Sequence, residues 1–197
     1  MTIAETSRKI QKRETPKDVF YTPEIVAKNH IDMIETIPSD IWYDDSKGKG
    51  IYYDNYPNEK KEWSEITEGK DMFEFNKKID IICGNPPYSL INKILEKSVS
   101  LKPRIISYLI GQQNFTPHRL KFMNDNGYGL IKLHILKIRG FFGYSYICIW
   151  EKDKEDILTH ETKNYYGELP LCENVDKYGN KKKIIPKILS LVEIQKN

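Results

Sequence analysis

The run Ile79-Asp80-Ile81-Ile82-Cys83 is apolar almost throughout and stops abruptly at Gly84-Asn85-Pro86-Pro87-Tyr88. A short run with no polar alternation reads as a strand covered on both faces, the situation of a parallel sheet sandwiched between helices. Two consecutive prolines cannot donate to a sheet ladder and hold φ near about −65°, so they end the strand and fix the carbonyls of Asn85 and Pro86. In open α/β sheets ligands gather at this carboxyl end. The Asn85 side-chain oxygen and the Pro86 carbonyl can both accept from one planar amino group, and Tyr88 offers a flat ring for stacking. Taken alone, the tetrapeptide reads equally well as a turn closing a strand above a surface tyrosine.

The remaining chain repeats this texture. Ile41-Trp42-Tyr43, Trp63–Ile66 and Ile105–Ile110 are short apolar pieces, separated by stretches of helical spacing at Pro23–Thr36 and Leu90–Leu101. Thr116 is an N-cap, Pro117 the first helical residue and Gly127 the residue beyond the end of a helix over 116–126. Leu130–Ile138 and Tyr144–Trp150 read as an antiparallel pair turning around Gly140 and Gly143. The expectation is an α/β fold, mostly parallel, with an antiparallel terminal hairpin.

At 197 residues, with 39% hydrophobic and 30% charged side chains, the chain suits one compact domain and excludes a disordered polyelectrolyte. The net charge of +3 does not separate a weakly basic enzyme from a nucleic-acid binder. Residues 1–17 form an expected basic, flexible arm, residues 18–150 the main domain, and residues 151–197 an extension packed on that domain. Cys83, Cys148 and Cys172 suggest neither a disulfide framework nor a zinc cluster, and His30, His118, His134 and His160 lack ligand spacing, so no metal site is expected. No stretch resembles a signal peptide or approaches the length of a membrane span, which points to a cytoplasmic, intracellular setting and to no membrane partner.

Asn85-Pro86-Pro87-Tyr88 after an apolar strand resembles the catalytic motif of S-adenosylmethionine-dependent amino-methyltransferases, chiefly the N6-adenine DNA methyltransferases. The motif is shared with adenine-N6 RNA methyltransferases and with glutamine-N5 methyltransferases of release factors. Three further segments arrive in that family's order. Phe20-Tyr21-Thr22-Pro23 resembles the segment that closes over the methionine end of the cofactor, and favours the nucleic-acid branch. Asp44-Asp45-Ser46-Lys47-Gly48-Lys49-Gly50 resembles the Asp-Pro-x-x-Gly-x-Gly cofactor loop, with Asp44 facing the cationic methionine portion and Gly48 and Gly50 admitting close backbone approach. Read without the resemblance, it is an acidic surface turn. Asp45 stands where the family has proline, and Asp54, Asn55 and Pro57 interrupt the helix that should follow, so the cofactor-side half of the sheet is expected to be shortened.

The third segment is Glu65–Phe73. The resemblance implies that Glu65 binds the ribose hydroxyls, Asp71 accepts the adenine amino group and Phe73 packs beside the ring; either acid also reads as surface charge. The whole implies a Rossmann-like class I methyltransferase, a minimal, phage-like member acting on adenine N6 in DNA, with RNA as the alternative polymer. A catalytically weak, partner-binding module is the alternative outside enzymes. A homodimer or a separate specificity partner would supply sequence recognition. Gln112, Asn114 and Phe115 read either as loop-forming residues or as further pocket candidates, and Lys137, Arg139, Phe141, Phe142, Tyr144 and Tyr146 form an aromatic-basic cluster that either fills core or meets nucleic acid.

Overall fold

The computed structural model describes residues 21–162, together with the backbone of two short strands at 174–175 and 181–182. The chain divides into two compact units, Met1–His160 and Glu161–Asn197. The arm expected at 1–17 and most of the extension expected at 151–197 lie outside the described residues.

Six strands of the first unit form one sheet: β1 (Trp42–Asp44), β2 (Lys61–Trp63), β3 (Ile81–Gly84), β4 (Ile105–Gly111), β5 (Tyr128–Leu136) and β6 (Ser145–Lys152). Their order is β2-β1-β3-β4-β6-β5. The first four are parallel, and β6 runs antiparallel to both β4 and β5. Gly111 lies opposite Ser145, and Ser145 opposite Leu136. The β5–β6 turn therefore stands at the same edge as the carboxyl ends of β1 to β4. In the second unit, β7 (Asn174–Val175) and β8 (Lys181–Lys182) pair antiparallel.

Strand alternation divides the core between the two faces of the sheet. Trp42, Ile81, Cys83 and Ile105 pack with Ala27 and Ile31 of α1 (Glu24–Asp32) and Tyr52 of α2 (Ile51–Asn55). Tyr43, Ile82, Ile106 and Tyr108 pack with Ile94 and Leu95 of α3 (Ile91–Ser100) and Leu120 and Met123 of α4 (Pro117–Asp125). All of β3 and β4 is buried, as their mainly apolar runs lead one to expect, with Ser107 the polar exception in β4. α4 begins as expected, with Thr116 Oγ1 accepting from Arg119 N and Pro117 in the first turn.

One buried polar group joins three elements on the first face. His30 bonds Tyr52 OH through Nδ1 at 2.9 Å and Ser107 Oγ through Nε2 at 2.6 Å. Burial, reinforced by His134, pushes this imidazole down to about 3, so it stays neutral.

Two elements depart from expectation. α1 ends at Asp32 instead of Thr36, because the Asp40 carboxylate takes Ile37 N at 2.8 Å and Thr36 Oγ1 at 3.2 Å, building a turn ahead of Pro38. Glu65 lies beyond β2, at the cap of a short 3-10 turn over Ile66–Glu68. α2 has five residues and stops at Tyr56, whose extended backbone is what the following Pro57 demands. Among the described residues, no helix is long and apolar enough to cross a membrane, and no cluster of His, Cys, Asp and Glu is arranged to hold a metal.

Candidate active site

A cleft of about 590 Å³ opens along the carboxyl edge of β1, β2 and β3. Its size suits a small-molecule ligand, and its position is the one open α/β sheets use. Four loops supply the walls. Asn85, Pro86, Pro87 and Tyr88 come from the end of β3, Gly48 from the loop after β1, Glu65, Asp71 and Phe73 from the segment after β2, and Tyr21 and Thr22 from ahead of α1.

The expected residues Pro23, Asp44 and Gly50 do not line it. Pro23 caps α1, its carbonyl accepting from Val26 N and Ala27 N. Gly50, at φ 86°, is the left-handed N-cap of α2, and a Cβ there would stand 2.9 Å from Asp54 Oδ2. Asp44 is 1% exposed, beneath the loop, its Oδ1 accepting from Ser46 N at 3.3 Å. Burial, and then the neighbouring Asp45, push its carboxyl well above the usual range. Of the Asp44-Asp45 pair it is Asp45 that reaches the cleft, where the family resemblance expected proline.

Asp45 is also buried, with Oδ1 accepting from Ser46 Oγ at 3.0 Å and Oδ2 from the Tyr108 hydroxyl. Burial pushes it up to about 6, against the pull of those two hydrogen bonds. Ser46 Oγ also lies 3.4 Å from the Asn85 carbonyl, tying the loop after β1 to the motif after β3. Gly84 leaves room for the two buried carboxyls, since a Cβ there would stand 3.3 Å from Asp44 Oδ1 and 3.5 Å from Asp45 Oδ1.

Opposite this motif, Glu65 Oε2 accepts from Gly48 N at 2.8 Å and Oε1 from Thr67 N and Oγ1. Burial raises its carboxyl, but the bonds to Thr67 and Gly48 and the charge of Lys47 outweigh it, so Glu65 is held below its usual range and ionised. Asp71 Oδ1 accepts from Phe73 N at 2.9 Å, which curls the backbone and leaves the Phe73 ring 39% exposed beside the cleft. Tyr21 lies over Gly48 and Lys49, with Lys49 Nζ 4.2 Å from its ring centre.

The motif itself is rigid. Pro87 sits at φ −63° and ψ 120°, and Tyr88–Leu90 forms a 3-10 turn leading into α3. The Tyr88 ring lies against Gly111 at the end of β4, where a Cβ would stand 3.3 Å from Cε2. Gln112, Asn114 and Phe115 are not part of the cleft: Asn114 and Phe115 border a small gap between α3 and α4, and Gln112 is bonded to Tyr144. Sequence reading did not single out Ser46, Met72 or Leu90 as cleft residues, and nothing in their types marks them.

The sequence matches no family model and no curated protein. Solved structures do match in shape. The M. capricolum TrmK structure in complex with S-adenosyl-homocysteine has a TM-score of 0.56 at 11% identity, over 72% of this chain and 74% of that one. The magnesium protoporphyrin IX methyltransferase of Synechocystis PCC 6803 with bound SAM has a TM-score of 0.50 at 12% identity, over 77% and 85%. The fold is that of a Rossmann-like class I methyltransferase. The antiparallel β6 between β4 and β5, and the cleft at the carboxyl edge, are the features this sheet brings to that fold.

Proposed function

We propose that this protein transfers a methyl group from S-adenosylmethionine to the exocyclic N6 amino group of adenine in DNA. The observation that carries the proposal is the position of Asn85-Pro86-Pro87-Tyr88, rigid at the end of the central strand, in the same cleft as Glu65 and Asp71. The donor set fits the cofactor. An ionised carboxylate beside a glycine backbone suits ribose hydroxyls, Asp71 with the neighbouring Met72 and Phe73 suits an adenine ring, and Asp45 suits a cationic amino-acid end. Cofactor-bound structures of the same fold support the assignment. When bound, S-adenosylmethionine supplies an electrophilic methyl group on a sulfonium, so no covalent enzyme intermediate is needed.

The protein's own contribution is orientation. Asn85 and the Pro86 carbonyl accept the two amino hydrogens, which turns the nitrogen lone pair toward the cofactor side of the cleft. The two prolines hold those acceptors in place, so little entropy is lost when the base arrives. Tyr88, braced on Gly111, gives the base removed from its stack a face to lie on. Asp45, where the family pattern has proline, adds negative charge to the cofactor end of the cleft when ionised.

Mass spectrometry of nucleosides from unmethylated DNA and RNA, each incubated with the protein and S-adenosylmethionine, tests the proposal. N6-methyldeoxyadenosine from DNA is the expected product. Methylation of RNA alone moves the assignment to the other polymer, and methylation of neither, with cofactor bound, overturns it.

A further inference from the structure

Charge is unequally shared between the two halves of the sheet. From Asp40 to Asp80, which includes β1 and β2, the chain carries eleven Asp and Glu against seven Lys and Arg; from Ile81 to Trp150 it carries two against nine. In the first half the cations Lys47 and Lys77 sit on carboxylates, at 3.0 Å from Glu68 and 2.8 Å from Glu62. Around the carboxyl edge of the second half they do not. Arg119 is held by neutral acceptors, Asn92 Oδ1 at 2.8 Å and Asn114 O at 2.7 Å. Lys137 donates to carbonyls of its own turn, and exposed Arg139 has no ion-pair partner among the described residues.

The β5–β6 turn adds exposed rings to this uncompensated charge. Phe142 is 57% exposed and Tyr144 55%, whereas Phe141 and Tyr146 pack inward. The turn is pinned to the sheet edge: Gln112 N donates to Tyr144 O and Tyr144 N to Gln112 Oε1, both at 3.0 Å. Gln112 directly follows Gly111, against which Tyr88 lies. A continuous line thus runs from Tyr88 through Gly111 and Gln112 to Tyr144.

From this we infer that the β5–β6 turn seats a single-stranded segment of nucleic acid flanking the base held at Tyr88. Phe142 and Tyr144 stack on unpaired bases, and Lys137, Arg139 and Arg119 take their phosphates. Exposed rings find a π-face only on bases that are not already stacked in a duplex, and a turn with no Asp or Glu over residues 137–146 accepts a polyanion with little repulsion. The inference deepens the proposed function and rests on it for the identity of the polymer, but binding can be read without methyl transfer.

The test uses the full chain and a fluorescein-labelled fifteen-nucleotide oligo-dT, which contains no adenine, alongside a duplex of equal length, with anisotropy followed across a salt series. The wild type is expected to bind oligo-dT more tightly than the duplex. Phe142→Ala with Tyr144→Ala should weaken oligo-dT binding roughly tenfold or more, and Arg139→Ala should lower the slope of log affinity against log salt by about 0.7. Because Tyr144 is tied through its backbone and both rings are exposed, the thermal midpoint should be retained; Tyr144→Phe should restore most of the binding. Equal oligo-dT affinity in wild type and variants, or a preference for the duplex, overturns this inference while leaving methyl transfer to adenine standing. No binding to either polymer, with transfer to a protein acceptor, overturns both.

Discussion

The Tyr108 hydroxyl donates to Asp45 Oδ2, so a strand in the middle of the sheet holds the one carboxylate of the Asp44-Asp45 pair that faces the cleft. Asp45 takes its proton near 6 in the folded chain against an ordinary 3.8, because burial disfavours the anion. Its stabilising contribution is therefore complete below about 3.8 and is lost as the pH rises through 6. His30 acts in the opposite sense. Unfolded, it charges near 6.5; folded, it stays neutral to about 3, so stability is withdrawn as the pH falls below 6.5. Each group changes stability by at most about 1.4 kcal/mol per pH unit. Between pH 6 and 4 the two oppose one another, and Asp45→Asn removes the offset. Urea unfolding of this variant should show a steeper loss of stability from pH 6.5 to 4.5 than the wild type; parallel curves would contradict the assignment.

In the proposed function the same carboxyl sets how cofactor binding depends on pH. With Asp45 ionised, the cleft attracts the cationic amino-acid end of the cofactor more strongly than with Asp45 protonated. Affinity for S-adenosylmethionine should rise as the pH passes upward through about 6, while affinity for the thioether product, which keeps the ammonium but has lost the sulfonium charge, should rise less. Calorimetric titrations at pH 5 and 7.5 measure this, and Asp45→Asn should flatten the difference. A cofactor affinity that is level across this range would exclude Asp45 from the cationic end.

Glu65 receives Gly48 N and Thr67 N, and in the proposed function its remaining lone pairs accept from the cofactor's ribose. Hydrogen bonds to a charged acceptor contribute about 1.5 to 3 kcal/mol. Glu65→Ala should thus weaken cofactor binding roughly ten- to a hundredfold, with Glu65→Gln between the two. If Glu65→Ala binds S-adenosylmethionine as the wild type does, the ribose lies elsewhere.

Tyr88 is expected to act through its ring. Tyr88→Phe should keep most of the transfer rate, and Tyr88→Ala should lose roughly five- to a hundredfold in kcat/KM, the range of one stacked base. Steady-state kinetics on a short DNA substrate distinguishes them; a loss of the same size in Tyr88→Phe would assign the role to the hydroxyl.

Much of the architecture was legible because it follows from local chemistry. The apolar runs of β3 and β4 show no polar alternation, and Thr116, Pro117 and Gly127 punctuate α4 in the order that helix ends require. The end of α1 was not legible, because the Asp40 carboxylate that builds the turn there is also held by Arg104 across the fold. The candidate site divides in the same way. Residues on loops that leave strand ends, such as Asn85 and Glu65, reach the cleft because the topology brings every parallel carboxyl end to one edge. Asp44 does not, since alternation along β1 turns it toward the α1 and α2 face, and no motif spacing carries that information. The exposure of Phe142 and Tyr144 was likewise hidden: the same aromatics fill core or meet solvent according to where the hairpin turns.

The central claim is that Asn85 orients an amino group for methyl transfer. It is tested most directly by the single-turnover rate of transfer to adenine in DNA by Asn85→Ala, with cofactor affinity titrated on the same preparation. The account predicts a rate lower by roughly a hundred- to a thousandfold, with S-adenosylmethionine bound as tightly as by the wild type. A variant that transfers at close to the wild-type rate would contradict it.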